Sequence, residues 1–256
     1  MDFLFVIILG GLWGSFANVC IYRLPLDKGV VSGRSYCPKC KNQITWKDNI
    51  PILSYFLLNG KCRKCKKKIS TQYVFVEFLS ILFFTFIYFL YGITLTTLLL
   101  IILSLSFIII FFIDLKHFII PDELSFPLMF IGLLKSFYPN LNQELFPNLI
   151  NSLIGGILGY VIIWVIIFFY KKIKNKEGMG LGDAKLLSAI GFWFGWVSVP
   201  LIIFFSSVIA LLYVAPTLIN KTKSLTTEIP FGPYLIIGTL VYIIFGNQIK
   251  LILFNI

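Results

Sequence analysis

The stretch TLTTLLLIILSLSFIIIFFID, residues 94–114, holds twenty uncharged residues and then one carboxylate, Asp114. A helix rises about 1.5 Å per residue, so twenty residues match the roughly 30 Å hydrocarbon core of a bilayer. A surface helix of a soluble protein carries a charged face, and this stretch has none. Similar runs recur along most of the chain. Of 256 residues, 58% are hydrophobic and 13% are charged, against about 25% charged in a soluble domain. The pattern implies an all-α polytopic membrane protein of about eight transmembrane helices.

Working outward from residues 94–114, the expected spans are Phe3–Tyr22, Tyr73–Tyr91, Thr94–Ile113, Ile120–Ser136, Asn148–Tyr170, Ala184–Trp196, Val197–Ile219 and Phe231–Phe254. The first has no basic region ahead of it and reads as a retained span, not a cleaved signal. Residues 1–22 are thus a first transmembrane helix and 23–72 a small extramembrane domain. Residues 73–256 are a membrane core of about seven helices. No internal repeat is evident.

The net charge of +11 does not imply nucleic acid, because basic residues in membrane proteins gather in cytoplasmic loops. With residues 23–72 inside, the inner segments are 23–72, 114–119, 171–185 and 220–230. They hold twenty of the 22 Lys and Arg residues, leaving only Lys135 and Lys250. This orientation puts Asp114 and Asp183 at cytoplasmic ends of their spans.

Asp183 closes Gly178-Met179-Gly180-Leu181-Gly182-Asp183. Glycine lets a second backbone approach closely, and an acid at the mouth of a span is a functional candidate. Two carboxylates at one depth can share a proton and act as an aspartyl-protease dyad. The plain alternative is helix capping, which suits Asp183 before Ala184. It suits Asp114 less, since a carboxylate at a helix C-terminus opposes the dipole. Asp122 and Glu123 are rivals to Asp114, or caps of the fourth span. Glu77 is a further buried-acid candidate. His117 reads as interfacial and Cys20 as a packing residue.

Cys37-Pro38-Lys39-Cys40 and Cys62-Arg63-Lys64-Cys65 have zinc-ribbon spacing. Four thiolates close a tetrahedral site, so the Zn2+ is expected to be structural. Redox dithiols are the competing reading. The lysines around the second pair form a solvated face or touch anionic lipid.

Together these segments resemble the type IV prepilin peptidase family. The resemblance rests on Gly14-Ser15-Phe16-Ala17-Asn18-Val19-Cys20-Ile21-Tyr22-Arg23-Leu24-Pro25 and on the four cysteines. It continues through Asn49-Ile50-Pro51-Ile52-Leu53-Ser54-Tyr55, Gly60-Lys61-Cys62, Glu77, Asp114 to Asp122, Gly178 to Leu187, and Pro230-Phe231-Gly232-Pro233-Tyr234. It implies a membrane aspartyl protease of the GxGD type with Asp114 and Asp183 catalytic and Gly178, Gly180 and Gly182 beside the substrate. It implies prepilin or pseudopilin substrates, cut after a glycine on the cytoplasmic side of the bacterial inner membrane. It further implies N-methylation of the new terminus from S-adenosylmethionine, with Gly60 and Lys61 at a position associated with methyl transfer. Two readings compete: an ion- or proton-coupled transporter using Asp114, Asp183 and Glu77, and a zinc-ribbon adaptor without catalysis.

Overall fold

A computed structural model describes residues 2–31, 33–138, 141, 145–175, 178–219 and 229–254. The chain is all-helical. The helices are α1 (Asp2–Arg23), α2 (Leu53–Leu57), α3 (Gln72–Tyr91), α4 (Leu95–His117), α5 (Asp122–Leu134), α6 (Leu149–Lys174), α7 (Leu181–Phe194), α8 (Ser198–Ile219) and α9 (Gly232–Phe254). Apart from the five-residue α2, the helices fall on the eight expected spans. Among the described residues, five are long and apolar enough to cross a membrane: α1, α3, α4, α6 and α8. α5 and α7 have 13 and 14 residues, and 14 residues reach only about 21 Å. Eight full crossings are therefore not what the helix lengths show. α5 starts behind Pro121 and contains Pro127, and α7 stops at Gly195, whose φ of +80° breaks the helix.

The chain divides into two compact units, Met1–Ile109 and Ile110–Ile256. In the first, α1 packs on α3. A Cβ on Gly10 would stand 2.8 Å from the Cα of Ile81, and one on Gly14 would stand 2.7 Å from the Cα of Glu77. Such close backbones are how helices gain packing energy in lipid, which offers no hydrophobic drive of its own. Asn18 adds a hydrogen bond from Nδ2 to the Tyr73 carbonyl at 3.0 Å. Below α1, the buried Arg23 donates to the carbonyls of Gly29 and Gly33 at 3.1 and 3.2 Å.

In the second unit, α7 is the centre. Ten of its residues are buried, from Asp183 to Phe194, as expected for a helix that is apolar all round. It packs on α6 through Gly155, Gly156 and Gly159. Ser152 Oγ donates to the Phe192 carbonyl at 2.5 Å and Ser188 Oγ to the Gly156 carbonyl at 2.8 Å. Interhelical hydrogen bonds of this kind contribute about 0.6 kcal/mol each. On the α5 side, Trp193 Nε1 donates to the Leu128 carbonyl at 2.8 Å. α8 and α9 pack against each other.

Candidate active site and cysteine module

Asp114 lies in the last turn of α4 and is 4% exposed; Asp183 lies in the first turn of α7 and is 8% exposed. Phe118 then ends α4 with φ +57°, a conformation that is strained for a bulky residue. The turn brings Ile119, Ile120 and Pro121 back along the unit. Ile120 lies against the glycine next to Asp183 and the glycine that holds Asp114. Its Cβ is 3.0 Å from where a Cβ on Gly182 would stand, and its Cδ1 is 3.2 Å from the same point on Gly232. The backbone N–H of Gly232 donates to Asp114 Oδ2 at 3.0 Å. The two carboxylates are near enough for the charge of Asp114 to act on Asp183. Residues 69 positions apart in sequence thus converge on one buried spot.

The three glycines before Asp183 differ in what surrounds them, and none has a left-handed backbone. Gly178 lies against the Tyr170 ring, 2.6 Å from a would-be Cβ, and Gly182 lies against Ile120. Both are packing positions. Gly180 is the N-cap of α7, and around it there is room. The nearest atoms to a would-be Cβ are Gly182 N at 3.8 Å and Asp183 Oδ2 at 3.9 Å.

Asp122 and Glu123 are exposed in the first turn of α5. Asp122 Oδ1 pairs with Lys185 Nζ at 2.6 Å, and Lys185 also lies over the Phe126 ring at 5.3 Å. These two acids are exposed, whereas Asp114 is buried. Glu77 is buried in the other unit, where Oε2 accepts the Ile52 N–H at 2.7 Å. His117 is exposed, and Cys20 is buried within α1. Lys135 is 3% exposed and its Nζ has no hydrogen-bond partner among the described residues. It lies over the rings of Phe146 and Trp193 at 4.6 and 6.0 Å, where the ring faces attract the cation.

The four cysteines meet, with their sulfurs all within 4.8 Å of one another. Cys37 and Cys65 are 4.0 Å apart, against about 3.8 Å for the edge of a tetrahedron with 2.3 Å metal–sulfur bonds. The donor set therefore fits a four-coordinate thiophilic ion. Backbone amides of Cys65 and Lys64 pull the Cys62 thiol down to about 7. At Cys40 the Asn42 amide lowers the thiol, but desolvation and the other three sulfurs outweigh it and push the thiol up to about 11. Four sulfurs this close cannot all lose their protons without a cation between them.

The backbone around the cysteines shows a repeat that the sequence reading passed over. Ser35–Ile44 and Gly60–Ile69 carry the same hydrogen bonds. Ile44 N–H donates to Ser35 and Ile69 N–H to Gly60; Cys37 N–H donates to Asn42 and Cys62 N–H to Lys67. Lys41 and Lys66 both have positive φ, and the bridges Tyr36–Gln43 and Lys61–Lys68 also correspond. The sequence carries the same repeat, since Lys39, Lys41 and Ile44 stand where Lys64, Lys66 and Ile69 do. Lys64 donates to Asn42 across the halves at 2.8 Å, and Arg63 grips Asp48 in the turn between them at 2.7 Å. Gly60 carries φ +63° and is covered by Tyr55, whose hydroxyl is 2.9 Å from a would-be Cβ. Lys61 is exposed.

Sequence reasoning passed over Gly232, Ile120 and Lys185. The first was visible only as one glycine in Pro230–Tyr234, and its contact with Asp114 crosses 118 positions.

Residues 8–91 match the bacterial peptidase A24 N-terminal domain, and residues 100–215 match the type IV leader peptidase family. Relatives named prepilin leader peptidase/N-methyltransferase include one from Pseudomonas aeruginosa, 33% identical over 95% of this chain and 90% of its own length. One from Stutzerimonas stutzeri is 34% identical with the same coverage. One from Xanthomonas campestris is 35% identical, covering 94% of this chain and 90% of the relative. No solved structure matches. With two buried aspartates converging in one unit, four cysteines converging in the other, and relatives matched over nearly the full length, the chain belongs to the type IV leader peptidase family.

Proposed function

We propose that this multi-pass membrane protein cleaves the short basic leader of prepilins and pseudopilins and then N-methylates the exposed residue. The observation that carries the reading is that two buried aspartates, Asp114 held by Gly232 and Asp183 next to Gly182, have these two glycines packed on one residue, Ile120, in a chain of the leader peptidase family. The pair works as an aspartyl dyad. One ionised carboxylate takes a proton from water, whose oxygen attacks the scissile carbonyl carbon. The protonated partner gives its proton to the carbonyl oxygen. The tetrahedral intermediate collapses as the C–N bond breaks, the leaving nitrogen takes a proton from the first aspartate, and the second recovers its own. No covalent enzyme intermediate is needed.

At Gly180 a Cβ would meet nothing closer than 3.8 Å, and Asp183 Oδ2 lies at 3.9 Å, which favours this position as the place where an extended substrate strand lies. Gly178 and Gly182 serve by holding the loop against Tyr170 and Ile120. The distribution of lysine and arginine supports an orientation with residues 23–72 and the dyad on the cytoplasmic side. That depth suits a substrate whose apolar helix is in the bilayer and whose leader projects into the cytoplasm. Residues 23–72 then form the cysteine domain and 73–256 the peptidase core. Cys37, Cys40, Cys62 and Cys65 hold a structural Zn2+, which ties the two halves of the domain together. S-adenosylmethionine is the methyl donor. Gly60, at φ +63°, shapes the turn and Lys61 follows it exposed, at the position that the family resemblance associates with methyl transfer. The relatives described above are named for leader peptidase and methyltransferase activity, and Glu77 is engaged with a backbone amide, which leaves the transport reading without support.

The test is a cleavage assay on a purified prepilin in detergent. Asp114→Asn and Asp183→Asn are each expected to lower the rate at least about 10³-fold. Full activity in either variant would overturn the assignment.

A further inference from the structure

We infer that Gly232 is the positioning residue of Asp114. The inference rests on the dyad reading above. The first turn of a helix has free amides that need acceptors. In α9 the supply is unusually small. Gly232 is the first residue and Pro233, the second, has no N–H. The amides of Tyr234 and Leu235 already donate to the Phe231 carbonyl at 3.0 and 3.1 Å. One free amide is left, that of Gly232, and it points at Asp114 Oδ2 at 3.0 Å. The carboxylate is thus held by a single directional donor at the positive end of a helix dipole.

The missing side chain matters as much as the amide. A Cβ at Gly232 would stand 2.6 Å from Asp114 Oδ2 and 3.2 Å from Ile120 Cδ1. The carboxylate can lie on the amide only because residue 232 has no Cβ. Oδ1, which receives no hydrogen bond among the described residues, is the oxygen left to meet the water. In the reaction, Oδ2 stays on the Gly232 amide while Oδ1 takes the water proton and later returns it to the leaving nitrogen.

The experiment uses the full-length protein in detergent with two readouts. One is leader cleavage, resolved into kcat and KM. The other is methyl transfer from labelled S-adenosylmethionine to a pilin that has already been cut. Gly232→Ala shifts the free end of a side chain rather than backbone, so the fold should survive. Its kcat is expected to fall between about tenfold and 100-fold, the effect of roughly 1 Å of misplacement. KM and methyl transfer should stay unchanged. A second variant carries glycolic acid at position 232, which replaces the amide by an ester and removes the N–H without adding atoms. It should show the same split. Gly238→Ala is the control, because Gly238 packs α9 on Ser206 of α8 and should lower both activities together. Full kcat in the ester variant would overturn the inference. So would loss of both activities in the ester variant, since the contact would then be a fold device. If the wild-type chain does not cut a prepilin at all, the dyad reading fails instead.

Discussion

The Glu77 carboxylate on α3 accepts the backbone N–H of Ile52 at 2.7 Å, and Ile52 has φ +61° and ψ −52°. A β-branched residue with positive φ is a genuine strain. Something must hold it, and the buried acid does so. Nearby, Ser54 Oγ accepts the Ile50 N–H at 2.8 Å and donates to the Lys47 carbonyl at 3.1 Å. The loop between the cysteine halves is therefore pinned to the helix pair by one carboxylate. Glu77→Ala is expected to destabilise the first unit by about 1–3 kcal/mol, the cost of stranding a buried amide. Glu77→Gln keeps an acceptor and should lose far less. Thermal unfolding with limited proteolysis around residues 49–52 would measure both. Equal losses would mean that charge, not the hydrogen bond, is what counts.

Gly180 and Gly182 make opposite predictions. Gly182→Ala pushes a methyl into Ile120 and should lower stability together with cleavage. Gly180→Ala adds a methyl that meets nothing closer than 3.8 Å, so its melting temperature should hold. If the substrate strand lies there, its KM should rise about tenfold or more, the scale of one ill-fitting group in a pocket. An unchanged KM in a folded Gly180→Ala protein would move the strand elsewhere.

The Asp122–Lys185 pair bridges the two segments that touch at Ile120 and Gly182. Both groups are partly exposed, Lys185 at 24% and Asp122 at 52%, so salt screens the pair. Lys185→Met should cost about 0.5–1 kcal/mol at low ionic strength and less at high salt. The reversed pair, Asp122→Lys with Lys185→Asp, should recover most of the loss in a thermal melt. Failure of the double variant to recover would show that the contact of Lys185 with Phe126 matters more than its charge.

Metal content is the direct check on the cysteine module. Purified protein should contain one zinc per chain by elemental analysis. Cys62→Ser should lose it, and the remaining thiols should become open to alkylation. The second unit should keep its helices by circular dichroism, since its packing does not depend on these residues.

How much of this could be read from the sequence depends on the distance over which each feature acts. The helices are set by apolar runs, which are local, so Thr94–Ile113 and its neighbours fall where the structure has them. The four cysteines are legible because tetrahedral chemistry demands a spacing. α5 and α7 looked like spans because both are apolar, but they run to 13 and 14 residues: Pro121 delays the start of α5 and Gly195 ends α7, while Pro127 lies within α5. The glycines before Asp183 pointed to the right place but for mixed reasons, since two are filled by Tyr170 and Ile120 and only one is open. Glu77 with Ile52 and Gly232 with Asp114 are backbone contacts. An amide donor is present at every residue but proline, so no side-chain pattern announces which one a carboxylate will take.

The tether on Asp114 also sets an order in time. The chain is made from its N-terminus, and the donor follows the acceptor by 118 positions. While α4 to α8 enter the membrane, Asp114 has no Gly232 to hold it. An unfinished chain can contain both aspartates and still lack the finished geometry. On that inference, a chain cut short ahead of Gly232 keeps both aspartates and should not cleave a prepilin.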